Sequence, residues 1–156
     1  MESLDFRHAN DVGVPDPKAL DRLGSLCAME ASAVRSYENA LASPLLQPYR
    51  HALLALRGSH EECMRLLDER LRLAGGQASS TPKISDSLVA FLEDMGVALG
   101  ASTAFSAFDR GETHCSNEYR RALSDFDGAT RDFVEREILP RQISAHALVS
   151  TIRRES

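Results

Sequence analysis

The chain has 156 residues, of which 43% are hydrophobic and 26% are charged, and its formal net charge is -5. This length and composition are typical of one soluble globular domain with a single hydrophobic core. The negative charge, without a basic block, predicts no binding to nucleic acid.

Targeting and membrane segments are not predicted either. The first ten residues contain no apolar stretch like that of a signal peptide. No uncharged apolar run reaches the roughly 18 residues that a membrane-spanning helix needs. Three cysteines form an odd set without paired short spacing, which favours reduced thiols and a cytoplasmic location.

The first half of the chain predicts two helices. Residues 1–15 are predicted to form a loose N-terminal arm, followed by one domain over residues 16–156. Asp16 followed by Pro17 is a typical helix start, and helix 1 is expected to end near Ala42. Its apolar residues recur at the spacing of one buried face: Leu20, Leu23, Leu26, Cys27, Val34, Tyr37 and Leu41.

A second cap followed by proline, Ser43-Pro44, predicts the start of helix 2, which should end at Gly75-Gly76. The link between helices 1 and 2 is very short, so they should be antiparallel neighbours. The polar stretch 77–85 then separates the two halves of the chain.

The second half repeats this organisation after one additional element. A short helix is predicted over roughly residues 87–99, and its apolar side chains suggest either a cap on the bundle or a homodimer contact. Helix 3 is expected from about Thr103 to Leu123, and residues 124–128 should form a loop. Helix 4 should run from near Ala129 to Ile152 with a kink at Pro140.

An internal repeat accompanies these elements. Glu30 and Tyr37 are seven residues apart, as are Glu112 and Tyr119, and an Ala-Leu pair follows each tyrosine after a two-residue spacer. A histidine follows in each half, His60 or His146. The predicted fold is therefore an all-α, antiparallel four-helix bundle built from two similar helical hairpins.

The repeat predicts a cluster of acids and imidazoles in the core. Glu30, His60, Glu112 and His146 would meet at one level if the loop of the second hairpin is about four residues longer. Carboxylate and imidazole ligands suit iron, manganese or zinc. The alternative is a metal-free cluster in which the glutamates pair with the histidines, or with Arg35 or Arg57.

Other polar residues are interpreted around this cluster. Tyr37 and Tyr119 are candidate hydrogen-bond partners of the metal ligands, or core tyrosines with satisfied hydroxyls. Gln142 lies one turn before His146 and is a candidate to orient its ring. The cysteines Cys27, Cys63 and Cys115 each lie three residues from a predicted ligand, but they are interpreted chiefly as small buried hydrophobic residues.

These residues resemble the ferritin-like superfamily, and within it a small bacterial branch of uncharacterised four-helix-bundle proteins. The resemblance implies single glutamates at Glu30 and Glu112 and metal-binding histidines at His60 and His146. Di-iron members also carry a glutamate three residues before each histidine. Here those positions hold Arg57 and Ile143, so both bridging glutamates are missing.

The predicted function is a metal-binding bundle with a reduced Glu/His site, in a redox or iron-handling stress role. The alternative is a metal-free structural or protein-interaction bundle that has lost the di-iron site. A third option, haem ligation by His60 and His146, is disfavoured because two glutamates at the same level would crowd an apolar porphyrin.

Overall fold

A computed structural model describes residues 16–77 and 100–156. Across these two ranges all regular structure is helical and no strand is present. The predicted arm at residues 1–15 lies outside the described residues, as does most of the connection 77–85. The short helix at 87–99, and with it the basis for the predicted homodimer, also lies outside them.

The first half contains two long helices, as predicted. Helix α1 spans Pro17–Leu41, and the Asp16 carboxylate caps it by accepting a hydrogen bond from the Lys18 backbone N–H at 3.0 Å. Helix α2 spans Arg50–Leu73, which is later than expected because a 3-10 helix, Pro44–Tyr49, precedes it. The prolines within that segment lack the N–H groups that an α-helix would use.

The turn after α2 requires a glycine. Gly75 has a φ of 82°, in the left-handed region that residues with a Cβ atom rarely adopt. The Gly76 N–H then donates to the Leu71 carbonyl at 2.9 Å and closes the end of the helix. The predicted stop at Gly75-Gly76 is therefore confirmed.

The second half also contains two long helices. Helix α3 spans Ala101–Ala122, and a 3-10 turn, Leu123–Asp125, follows it. The next helix is continuous but consists of three parts: α4 at Gly128–Phe133, a π-helical segment at Val134–Ile138, and α5 at Leu139–Glu155. We call these three parts together the fourth helix.

The irregularity predicted at Pro140 takes the form of the π-helical segment just before it. The Leu139 N–H donates to the Val134 carbonyl, five residues back instead of four. Pro140 has no N–H to offer to the preceding turn, and a single wide turn accommodates this deficit within the helix.

The helices form one bundle with two hydrophobic clusters and a polar layer between them. Along each long helix, buried polar residues separate the members of the first cluster from those of the second; on α1 these are Glu30, Ser32 and Ser36. The first cluster includes Leu23, Leu26, Cys63, Leu67, Tyr119 and Val134. The second includes Tyr37, Leu53, Leu56, Phe105, Phe108 and Val149. The polar layer consists of Glu30, His60, Glu112 and Gln142, one from each long helix.

Contacts at the bundle surface also join the two halves. Asp125 lies in the turn after α3. Its carboxylate accepts a hydrogen bond from Arg22 at 2.9 Å and forms an ion pair with Lys18 at 2.8 Å. On the other pair of helices the Arg70 guanidinium donates to the Thr130 hydroxyl at 3.2 Å. No helix within residues 16–77 or 100–156 has the length and apolar character needed to cross a membrane.

Candidate functional site

The polar layer is fully enclosed by the bundle. The side chains of Glu30, His60, Glu112 and Gln142 each expose 2% or less of their surface. Each comes from a different long helix, at the point where that helix crosses between the two hydrophobic clusters. Burying ionisable side chains without partners is costly, so the hydrogen bonds of this layer determine what it can do.

His60 bridges the two glutamates. Its Nδ1 lies 2.6 Å from Oε2 of Glu30, and its Nε2 lies 2.9 Å from Oε1 of Glu112. Both ring nitrogens can donate only when the imidazole is protonated. Burial by itself lowers the pKa of His60, but the Glu30 charge and the hydrogen bonds that the ring donates to both carboxylates outweigh burial and raise the pKa to about 10. At neutral pH His60 is therefore an imidazolium between two acids.

Two tyrosines complete the hydrogen-bonded chain. The Tyr37 hydroxyl donates to Oε1 of Glu112 at 2.5 Å, and the Tyr119 hydroxyl donates to Oε1 of Glu30. Burial is the largest cause that raises the pKa of each phenol well above its ordinary value, and the neighbouring carboxylates add to it. Both phenols therefore stay neutral donors. The ring of Tyr37 also stacks on His60, with 5.4 Å between ring centroids.

Gln142 supplies the fourth member of the layer. Its side-chain N–H donates to Oε1 of Glu30 at 3.3 Å. Two buried acceptors of the layer, Oε2 of Glu112 and Oε1 of Gln142, have no hydrogen-bond partner among the described residues. The layer therefore lacks hydrogen-bond donors at these two oxygens.

His146 is not part of this layer, so its predicted placement beside Glu30, His60 and Glu112 needs correction. Its Nε2 lies 3.2 Å from Oδ1 of Asp109, and 35% of its side chain is exposed. It follows Gln142 by one helical turn, about 6 Å further along the axis. The loop between α3 and α4 does not add the offset that would bring His146 to the level of the glutamates.

The spacing in the sequence contains the signal for Gln142. Gln142 follows Glu112 by 30 residues, and His60 follows Glu30 by the same 30 residues. At this position the repeat has an amide in place of the expected second histidine. Gln142 was therefore predicted as a partner of His146, whereas its hydrogen bond is made to Glu30.

Other residues occupy the positions of the two missing bridging glutamates. Arg57 is half-buried and pairs with Glu61 at 3.4 Å, and Ile143 is exposed. Of the alternative pairings considered for the glutamates, the structure shows the one with His60. Neither Arg35, which is exposed, nor Arg57 contacts them.

The polar layer contains side-chain oxygens of a type that binds cations, but its potential ligands do not converge on one position. The unpartnered oxygens of Glu112 and Gln142 are of a ligand type suited to Mn²⁺, Fe²⁺ or Zn²⁺, whereas both nitrogens of His60 are engaged with carboxylates. However, within residues 16–77 and 100–156 no three His, Cys, Asp or Glu side chains converge on one metal position. The two glutamates are held on opposite ring nitrogens of His60 and do not converge.

The three cysteines line the first hydrophobic cluster next to the polar layer, and all are buried free thiols. Burial is the main cause that raises the pKa of Cys27 to about 12, with smaller contributions from Asp68 and Glu30. Burial likewise raises the pKa values of Cys63 and Cys115. They are therefore protonated thiols packed as hydrophobic residues and not thiolate ligands.

Comparison with protein families, with curated proteins and with solved structures found no match to this chain.

Proposed function

We propose that the chain is an antiparallel bundle of the ferritin-like type that binds one divalent metal ion in its central polar layer. The observation that carries the proposal is the buried Oε2 of Glu112, which has no donor among the described residues, although Oε1 of the same carboxylate is hydrogen-bonded to His60. A metal ion would supply the positive charge that this oxygen lacks. Iron, manganese and zinc are the candidates by ligand type.

The roles of the residues follow from their contacts. Glu112 would hold the ion together with Nε2 of His60, which would have to release its proton to solvent as the metal binds. Glu30 stays on Nδ1 of the same ring, where a carboxylate orients a ligating histidine and increases its basicity. Tyr37 and Tyr119 hold the two carboxylates in place from the hydrophobic clusters on either side. This is a mononuclear site, because the side chains that would bridge a second ion are absent at Arg57 and Ile143.

The experiment is metal titration of protein purified without a histidine tag and stripped with a chelator. We expect uptake of a single Fe²⁺, Mn²⁺ or Zn²⁺ per chain, with a higher melting temperature in its presence. The Glu112→Gln variant should lose both effects. The matched control is Glu118→Gln, which changes an acid on the same helix that pairs with Arg121 at the surface. A wild-type chain that takes up no more metal than Glu112→Gln would refute the proposal.

A metal-free scaffold or protein-interaction bundle is the second candidate function. It is favoured by one specific observation: His60 already uses both ring nitrogens in hydrogen bonds to carboxylates. In that case the layer serves only to fix how the two halves pair, as buried polar contacts can do. The same titration separates the two functions, because a scaffold predicts a melting temperature that is independent of added metal.

A further inference from the structure

A second group of polar side chains joins α3 to α5 at the surface of the bundle, apart from the polar layer. Asp109 and Thr113 come from α3, and His146, Ser150 and Arg153 come from α5. We call these five residues the Asp109 cluster, because three side chains of α5 contact the Asp109 carboxylate.

The Asp109 carboxylate is held at both of its oxygens. Its Oδ1 accepts a hydrogen bond from the Ser150 hydroxyl at 2.6 Å and lies 3.2 Å from Nε2 of His146. Its Oδ2 lies 3.1 Å from Nη1 of Arg153. Only 16% of the Asp109 side chain is exposed, so the carboxylate is a fixed acceptor for one edge of the imidazole.

The hydrogen bonds of the cluster assign the tautomer of His146. The Thr113 hydroxyl donates its only hydrogen to the Asp109 backbone carbonyl at 2.8 Å. At its 3.4 Å contact with Nε2 of His146, the hydroxyl oxygen can therefore only accept. The Asp109 carboxylate also accepts from Nε2. Nε2 thus carries the hydrogen of the neutral ring, and the lone pair is on Nδ1.

Nδ1 of His146 is available for reaction. It has no hydrogen-bond partner among the described residues, and 35% of the side chain is exposed. When Nδ1 attacks an electrophile, the ring becomes positively charged, and a carboxylate on the opposite nitrogen stabilises that charge. Arg153 brings a guanidinium to the same carboxylate, and guanidinium groups bind phosphate oxygens through paired N–H groups.

From these contacts we infer that His146 is a phosphoryl acceptor, which takes a phosphoryl group on Nδ1 from a small donor with an activated leaving group. Phosphoramidate is the simplest such donor. The bond from Nδ1 to phosphorus forms as the P–N bond of the donor breaks, and ammonia leaves with the electron pair of that bond. The donor already carries its nitrogen as an ammonium group, so no proton is taken from the ring, and Nε2 keeps its hydrogen bond to Asp109.

Asp109 is in this view a positioning residue, and Arg153 binds the oxygens of the transferred group. The competing role of the cluster is a surface link that only joins α3 to α5. A link of that kind predicts that His146 reacts no faster than another surface histidine. His51 provides the comparison within the same molecule, because it is exposed on α2 and contacts no carboxylate among the described residues.

The experiment treats the full chain with phosphoramidate. Mass spectrometry locates the modified histidines, and phosphorus NMR distinguishes adducts on Nδ1 from adducts on Nε2. We expect His146 to be phosphorylated on Nδ1 at least about tenfold faster than His51. Asp109→Asn should slow the reaction at His146 about tenfold and yield adducts on Nε2 as well, with the rate at His51 unchanged.

A second pair of variants tests the guanidinium. Arg153→Gln should slow the reaction at His146, whereas Arg154→Gln, at the neighbouring exposed position that contacts Thr151, should not. Equal slowing by both would remove Arg153 from the site.

Equal rates at His146 and His51 in the wild-type chain would overturn the inference, as would an adduct confined to Nε2, and neither result depends on the folding of a variant. An unchanged rate and isomer in Asp109→Asn would overturn the role of Asp109. The polar layer takes no part in this reaction, so the result is independent of whether the chain binds metal.

Discussion

The Tyr37 hydroxyl donates a hydrogen bond to Oε1 of Glu112 at 2.5 Å, from the first half of the chain to the second. Its counterpart, Tyr119, donates to Glu30 in the opposite direction. Each acid of the polar layer is therefore held by a tyrosine from the other half. Because both contacts are buried and join the two halves, the halves cannot separate without breaking hydrogen bonds of the polar layer.

The tyrosine hydroxyls should therefore contribute measurably to stability. We expect Tyr119→Phe to lower the free energy of unfolding by about 1.5–3 kcal/mol, since it removes a donor from a buried charged acceptor and retains the ring. Urea denaturation measures the change. Tyr49→Phe is the matched control, because Tyr49 packs against Phe105 outside the polar layer. Equal effects of the two substitutions would contradict the role assigned to the Tyr119 hydroxyl.

The two glutamates should differ when each is replaced by glutamine in metal-free protein. In Glu112→Gln the new N–H can take the place of Oε2, which accepts no hydrogen bond, while the remaining oxygen still accepts from Tyr37 and His60. In Glu30→Gln the new N–H faces Nδ1 of His60, which is itself a donor. We expect Glu30→Gln to cost about 2–3 kcal/mol and Glu112→Gln clearly less. Thermal unfolding with chelator present measures both, and the reverse order would be inconsistent with the donor deficit at Glu112.

Stability should depend on pH through His60 in metal-free protein. Its pKa rises from 6.5 to about 10 on folding, so its contribution is fully present below pH 6.5 and is lost as pH rises through about 10. Between pH 7 and 8.5 the free energy of unfolding should therefore fall by up to about 1.4 kcal/mol per pH unit. Above the ordinary cysteine pKa of 9.0, the buried thiols and phenols add to the loss.

The measurement is a series of denaturation curves over that pH range. The slope should disappear in His60→Gln and persist in His146→Gln, the matched control at the half-exposed histidine beside Asp109. A slope of the same size in His60→Gln would show that another group is responsible.

The three thiols should be unreactive in the folded protein. Cys27, Cys63 and Cys115 are buried and their pKa values are raised, so little thiolate is present or accessible. We expect a thiol reagent at pH 8 to label none of them promptly in the native state and all of them in denaturant. Absorbance of the released reagent measures this directly. Rapid labelling of one cysteine without denaturant would instead indicate local opening of the first hydrophobic cluster.

Much of the architecture could be predicted because its signals are local. Asp16-Pro17 and Gly75-Gly76 place a helix start and a helix end through cap geometry and backbone freedom that depend only on neighbouring residues. The seven-residue spacing of Glu30 and Tyr37 puts both on one face of a helix whatever packs against it. The pairing of Glu30 with His60 followed from counting turns across one short connection.

The amino-acid sequence alone thus specifies four long helices and the faces that they bury. The residue of the fourth helix that enters the polar layer depends instead on how the helices pack. It is set by the total axial displacement that accumulates over the turn after α3, the start of α4 and the wide turn before Pro140. An error of one helical turn in this sum moves the assignment between Gln142 and His146, because axial position accumulates over every intervening residue.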